Sequence, residues 1–233
     1  IAGTGLRIER GVFVRAIEAP SRAGRRPRLV TSIGPIEADA IVIAAGGGSA
    51  ALLGLEGVLA PRRGQLFVTE RAPRIAAGLP GSLMSARYLL SKASAVSASP
   101  VSPRGYGLVV DPLRTGQILI GGTRENDESR PLADAEAASE VLAAALRLVP
   151  GLAEVRLLRA FAGLRTAVVD GLPLVGAVPG RPGVHVATGF EGDGICLGPL
   201  MGRSIADLVL GAVPQIDLAP FDPGRFGAGR VAA

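Results

Sequence analysis

The sequence predicts a mixed fold of the α/β (α+β) class, with a strand–glycine–helix unit near each end and a mostly antiparallel sheet between them. The continuous apolar run 40–45 and the short segment 184–187, which is expected to be a buried strand, are each followed by a glycine-rich loop and a helical segment. Between them, strand-length segments are separated by Pro and Gly, as in hairpin-connected strands. The 33 glycines and 18 prolines agree with many turns and short elements.

The elements can be assigned in order along the chain. Outside these two segments, alternating residues predict strands at 12–17 and 64–70. Strand-length runs predict further strands at 28–32, 83–90, 105–110, 117–121 and 155–162. Gly34 marks a tight connection. The run 40–45 is expected to be a parallel strand buried on both faces. After the glycines at 46–48, Ser49 is expected to cap a short helix over 50–55.

Two longer helices are expected in the second half. Residues 134–148 carry acidic side chains near the start and Arg147 in the last turn, before the stop at Pro150. The apolar residues expected to cover a sheet face are Leu142, Leu146 and Val149. The second helix is expected from Gly194 to about residue 210.

Charge and cysteine content exclude several classes of protein. The net charge is +5, but the arginines are spread along the chain without interleaved aromatic residues, which argues against a nucleic-acid partner. The single cysteine, Cys196, excludes an intrachain disulfide and favours a reducing, cytoplasmic location. The uncharged stretch 40–55 is too short and too rich in glycine for a transmembrane helix. Because the sequence starts without methionine, we expect it to begin within a longer chain or to be processed.

The residues needed for common hydrolytic chemistry are missing. The only histidine, His185, lies in an apolar run and is expected to be structural, and Cys196 is expected to be packed. One His and one Cys do not form a zinc site, and neither a nucleophile elbow nor a P-loop occurs. With these classes of reaction excluded, cofactor chemistry is the class that remains. The loop 189–194 is expected to aim backbone N–H groups and a helix dipole at an electron-rich group, and Arg165 is expected nearby.

Short motifs along the chain resemble, in their order, those of a known protein family. They lie at 163–176 (GLRTAVVDGLPLVG), 184–195 (VHVATGFEGDGI), 38–46, 63–65 (RGQ), 121–125 (GGTRE) and 220–226. Together they resemble the FAD-dependent D-amino acid oxidase superfamily over nearly all of the chain. The first two resemble its C-terminal signature.

The resemblance implies that FAD is the cofactor. The backbone of Val14 would contact the adenine end, and Ala44, Ala45 and Gly46 would border the ribose and pyrophosphate. The residues implied to bind the flavin are Gly189, Glu191, Gly192, Asp193, Gly194 and Ile195. Those from Gly192 onward would present N–H groups to the pyrimidine edge of the ring, over which the charge of a reduced flavin spreads.

The resemblance also implies that Arg165 binds the carboxylate of the substrate, for which a planar guanidinium is suited. A structural ion pair with Asp170 is the alternative. The chain departs from the family at Thr166, where proline is usual, and at Gly192, where glycine oxidase has arginine. The loop is therefore closer to dehydrogenase-type members that act on secondary amines. No catalytic base and no metal ligand are assigned.

The resemblance implies two domains, an incomplete Rossmann-like FAD-binding domain at 1–63 and 164–233 and a substrate domain at 64–163. The Gly-x-Gly-x-x-Gly unit that holds the pyrophosphate is absent, so we expect this chain alone to be inactive. The implied activity is oxidation of an amino acid or secondary amine by hydride transfer to flavin N5. The alternative is a non-catalytic remnant or binding subunit that associates with a partner chain, or with a missing N-terminal segment.

Overall fold

The computed structural model describes residues 4–18, 26–86, 104–126 and 132–227. The chain divides into two compact units. The discontinuous unit consists of Ile1–Leu59 and Leu172–Ala233, and the central unit of Ala60–Gly171. The expected mixed α/β class is confirmed, since each unit combines sheet and helix.

The elements follow one another in short succession. The strands are β1 (Val14–Glu18), β2 (Arg28–Thr31), β3 (Gly34–Glu37), β4 (Ile41–Ile43), β5 (Leu59–Thr69), β6 (Leu83–Met84), β7 (Arg104–Pro112), β8 (Ile118–Glu125), β9 (Leu157–Val168), β10 (Leu174–Ala177) and β11 (Val184–Thr188). The α-helices are α1 (Ser49–Leu53), α2 (Pro73–Gly78), α3 (Ala135–Leu148) and α4 (Gly194–Val209). Short 3₁₀ helices lie at Gly46–Gly48, Pro150–Glu154, Ala219–Phe221 and Pro223–Phe226.

The discontinuous unit contains two three-stranded sheets. One is antiparallel, in the order β1-β2-β3. The other has the order β10-β11-β4, in which β11 runs antiparallel to β10 and parallel to β4. Helix α4 packs on the second sheet, since Met201 and Ile205 contact Val175 of β10. The parallel pairing places the carboxyl ends of β4 and β11, with the loops that follow them, at one edge.

The central unit is built on a five-stranded sheet in the order β6-β7-β8-β5-β9. The pairs β6/β7, β7/β8 and β5/β8 are antiparallel, as expected for this region, and β7 and β8 form the expected hairpin. Helix α3 covers one face of the sheet, and Asp134 caps the helix by accepting a hydrogen bond from the N–H of Ala137 at 2.9 Å. The core between helix and sheet comprises Phe67, Val110, Ile118, Ile120, Val141 and Ala145.

The expected domain boundaries, 63/64 and 163/164, fall inside β5 and β9, whereas the two units divide near residues 59 and 171. Arg165 belongs to the central unit.

Several local expectations were wrong. Ile41 and Ile43 are buried but Val42 is 45% exposed, so β4 is not buried on both faces by the described residues. Ser49 does not cap α1, because the 3₁₀ turn before it has already placed it in helical geometry, which a capping residue lacks. On α3, Leu142 and Val149 pack against the core as expected, but Leu146 is 39% exposed. The buried residues of α3 are Ala137, Val141 and Ala145.

Other elements were not anticipated. β3 begins at Gly34, where only a tight connection was expected, and β10 and α2 were missed. The expected strand 83–90 is observed only as the two residues of β6, and its end lies outside the described residues. No helix in the described part of the chain has the length and hydrophobicity needed to cross a membrane.

Candidate functional site

Arg165 lies on β9 of the central unit, and its side chain is half-buried. Its Nη2 donates a hydrogen bond to the carbonyl oxygen of Thr123 on β8, at 3.3 Å. No ion pair joins it to Asp170 or to another carboxylate of the described residues, so the alternative role as a structural ion pair is not observed. One carbonyl engages only one of the five guanidinium N–H groups. The remaining donors and the positive charge are available to an external anion.

A buried polar cluster that the sequence did not predict lies in the same sheet. It comprises Arg63, Gln65, Thr123, Glu125 and Asp134. Arg63 Nη1 donates to Glu125 Oε2 at 2.8 Å, and the two side chains are 1% and 3% exposed. Gln65 Nε2 donates to Glu125 Oε1 at 2.7 Å and to Asp134 Oδ2 at 3.0 Å. The cluster therefore connects β5, β8 and the start of α3 through hydrogen bonds, although the buried Nε of Arg63 has no hydrogen-bond partner among the described residues.

The carboxyl ends of β4 and β11 bring two groups of expected cofactor-binding residues together. Ala44, Ala45 and Gly46 follow β4, and Gly189 follows β11. Thr188 Oγ1 donates a hydrogen bond to the carbonyl oxygen of Gly46 at 3.0 Å, which joins the two loops. β1, which begins with Val14, packs against α1, the helix that directly follows the glycine turn.

The loop 189–193 has a conformation that aims backbone donors outward. Gly189 and Gly192 have φ angles of 82° and 98°, and Glu191 has 47°, a left-handed conformation that is uncommon outside glycine. The N–H groups of Gly192, Gly194 and Ile195 find no acceptor within the described ranges. Asp193, the N-cap of α4, makes no side-chain capping bond. Three donors and the positive end of a 16-residue helix are thus presented together.

Two further expectations concern reactive side chains. His185 lies on β11 as a structural strand residue, paired with Val42. Cys196 was expected to be packed but is exposed in the first turn of α4, because the helix buries its opposite face through Met201, Ser204 and Ile205. Where the chain is described, no group of three or more His, Cys, Asp or Glu is arranged to hold a metal ion.

The comparison with protein families decides which class of cofactor protein this is. Residues 2–208 match the model of DAO, the FAD dependent oxidoreductases. The chain belongs to the DAO family of FAD-dependent oxidoreductases. The resemblance inferred from the motifs is confirmed, and FAD is the cofactor of the family.

Curated relatives and solved structures agree with this family assignment. The chain is 35% identical to a glycine oxidase of Pseudomonas aeruginosa over 202 residues, which are 85% of this chain and 49% of that protein. A glycine oxidase of Pseudomonas putida is 32% identical over 209 residues, or 88% and 51%. The crystal structure of glycine oxidase from Geobacillus kaustophilus superposes with a TM-score of 0.73 at 26% identity, over 91% of this chain and 51% of that one. The chain thus spans about half the length of the relatives it matches.

The residues of the 189–195 loop fit one edge of a flavin. The pyrimidine edge of the ring carries carbonyl oxygens and ring nitrogens that accept hydrogen bonds, and the loop offers three N–H groups that have no acceptor among the described residues. Ile195 is 90% exposed beside these donors and presents an apolar side chain that suits a flat ring. A polar group approaching this edge can satisfy the N–H groups of the loop.

His185 gives this unit a testable pH dependence. Its Nδ1 is buried with no hydrogen-bond partner among the described residues, and burial lowers its pKa below the ordinary value of 6.5. Below a pH equal to that ordinary value, His185 is protonated in the unfolded chain but stays neutral in the folded chain. The contribution of His185 to stability is therefore fully present above this pH and decreases as the pH falls. We expect His185→Thr to reduce the loss of thermal stability between about pH 7 and about pH 5. Thermal unfolding midpoints of both proteins at the two pH values test this prediction. An equal loss of thermal stability in the variant and the unsubstituted protein would contradict it.

Proposed function

We propose that this chain takes part in the FAD-dependent oxidation of an amino acid or a secondary amine. In this proposal the discontinuous unit binds the cofactor and the central unit binds the substrate. The observation that carries the proposal is Arg165, a half-buried guanidinium with no carboxylate partner among the described residues. A buried or half-buried cation without a counter-ion is costly unless a ligand supplies the anion, so a substrate carboxylate is its natural partner.

The cofactor contacts are proposed for the edge formed by β4 and β11. Ala44, Ala45 and Gly46 would border the ribose and pyrophosphate, with Val14 toward the adenine. The residues proposed for the flavin are Gly189, Glu191, Gly192, Asp193, Gly194 and Ile195. The donors of this loop and the dipole of α4 favour negative charge on the flavin.

When bound, FAD supplies the hydride acceptor at flavin N5. Arg165 holds the carboxylate and thereby orients the carbon that carries the hydride. We assign no catalytic base in this chain, because a substrate amine that is already unprotonated needs mainly orientation. The N–H groups of Gly192 and Gly194 would donate hydrogen bonds to the ring and would favour negative charge on it.

The experiment uses two substrates that differ only in the carboxylate, sarcosine and dimethylamine. Each is mixed anaerobically with the full-length, FAD-loaded protein while the flavin absorbance is recorded. We expect sarcosine to bleach the flavin and dimethylamine to fail at the same concentration. Equal bleaching by both amines would count against the proposal. So would the absence of bleaching with both amines and with a panel of other amino acids.

The second candidate is a binding role with a partner chain and without catalysis. The exposed face of β4 favours it, because Val42 is 45% exposed on a strand that is otherwise apolar and buried. This candidate predicts a colourless protein that copurifies with a partner and takes up no added FAD. A yellow protein that is reduced by an amino acid excludes it.

The cytoplasmic location remains a prediction.

A further inference from the structure

The guanidinium of Arg165 occupies the space where a side chain of residue 64 would lie. A Cβ built on Gly64 would clash with Nη2 of Arg165 and would lie 2.8 Å from its Cζ. The next nearest atom is the carbonyl oxygen of Thr123, at 3.2 Å, which is also the acceptor of the Arg165 hydrogen bond. Gly64 and Thr123 therefore form a seat for one edge of the guanidinium.

The seat is held by the buried polar cluster. Gly64 lies between Arg63 and Gln65, whose side chains are both fixed on Glu125. The backbone N–H of Gln65 also donates to Thr123 Oγ1 at 3.1 Å. The two backbone segments that touch the guanidinium are thus joined to each other and to a buried ion pair, which limits their movement.

We propose that Gly64 is a positioning residue, which sets the location of the Arg165 guanidinium and so the carboxylate position of the substrate. The inference rests on the proposed role of Arg165. A bidentate contact requires both N–H groups of the fork to point at the carboxylate oxygens, and a long side chain loses that orientation when its seat is filled. Gly64 lies within β5 and has no positive φ angle, so its missing side chain makes room for the arginine and does not serve an unusual backbone conformation.

The test is Gly64→Ala in the full-length, FAD-loaded protein. The added methyl group displaces the flexible end of Arg165, so we expect acetate to bind about tenfold more weakly, through loss of one charged hydrogen bond. Acetate is titrated as a competitive inhibitor against sarcosine and, without turnover, by its effect on the thermal midpoint. The matched control is Gly78→Ala on α2, where an added Cβ meets nothing within 4 Å. The control is expected to leave both measurements unchanged.

A second background separates positioning from a general disturbance. Lysine has no planar fork to collide with the methyl group, so Gly64→Ala added to Arg165→Lys should change acetate binding less than about twofold. An equal loss in both backgrounds overturns the inference. If Gly64→Ala alone does not fold but the double variant does, the clash with the guanidinium is the cause and the inference is supported. If neither folds, the inference is overturned.

The outcomes also distinguish the inference from the proposed function. If Arg165→Met weakens acetate binding and Gly64→Ala does not, the role of Arg165 stands and the positioning role is overturned. If Arg165→Met leaves acetate binding unchanged, the proposed carboxylate site fails, and the inference with it.

Discussion

Replacing Arg165 with methionine is expected to weaken binding of a carboxylate substrate by about 100-fold, because two hydrogen bonds between charged groups are lost. Methionine keeps the unbranched apolar stem, so the packing beneath the guanidinium changes little. The catalytic rate should fall as well, since the substrate is no longer held in one orientation. Steady-state KM and kcat for sarcosine, measured on the full-length, FAD-loaded protein, test the prediction.

Arg159 provides the matched control on the same strand. It is exposed, and its Cζ lies 5.8 Å from the centre of the Phe161 ring. The same substitution, Arg159→Met, should leave KM within about twofold, since an exposed cation–π contact contributes only about 0.5–1 kcal/mol and binds no substrate in the proposal. Arg165→Lys should give an intermediate KM, because an ammonium keeps the charge and loses the fork. If Arg165→Met and Arg159→Met gave the same KM, the assignment of the carboxylate site would be wrong.

The strand–glycine–helix units were predictable because their signals are local. The apolar runs ending in glycine predicted β4 and β11, and Gly194 was correctly placed at the start of α4. β10 was missed because Leu174–Ala177 follows a turn with no alternation of its own. Its strand character depends on pairing with β11, which a local pattern does not contain. Likewise, the exposure of Cys196 depends on which face of α4 packs on the sheet.

The burial of the polar cluster could not be predicted from local sequence patterns. Arg63 and Gln65 alternate along β5, and Thr123 and Glu125 alternate along β8, which is a signal for one polar face of a sheet. Polar faces are usually solvated, and Arg and Glu are rarely fully buried unless paired. Their burial follows from a register that brings Arg63 opposite Glu125 and from Asp134 at the start of α3. That register joins residues 62 positions apart, which no local window contains.

Breaking this buried ion pair is expected to have the largest effect on stability. Arg63→Met removes the guanidinium that pairs with the buried carboxylate of Glu125, and breaking such a pair costs about 3–5 kcal/mol. Gln65 and Thr123 still donate hydrogen bonds to Glu125 in the variant, but these two donors carry no charge. Chemical denaturation of the variant should show the central unit unfolding at a much lower denaturant concentration. Proteolysis within residues 60–171 should increase in parallel.

The charge explanation can be separated from lost packing by a second substitution. Arg63→Met with Glu125→Gln also removes the buried carboxylate charge but keeps hydrogen-bonding atoms near Gln65 and Thr123, so it should recover part of the lost stability. The control is Arg203→Met, which breaks an ion pair with Asp207 on α4 whose arginine is 74% exposed. That pair should contribute at most about 0.5 kcal/mol, because solvent screens it. If the double variant were no more stable than Arg63→Met alone, packing and not charge would explain the loss. The cluster would then stabilise the sheet beneath Arg165 through the arginine stem and not through its ion pair.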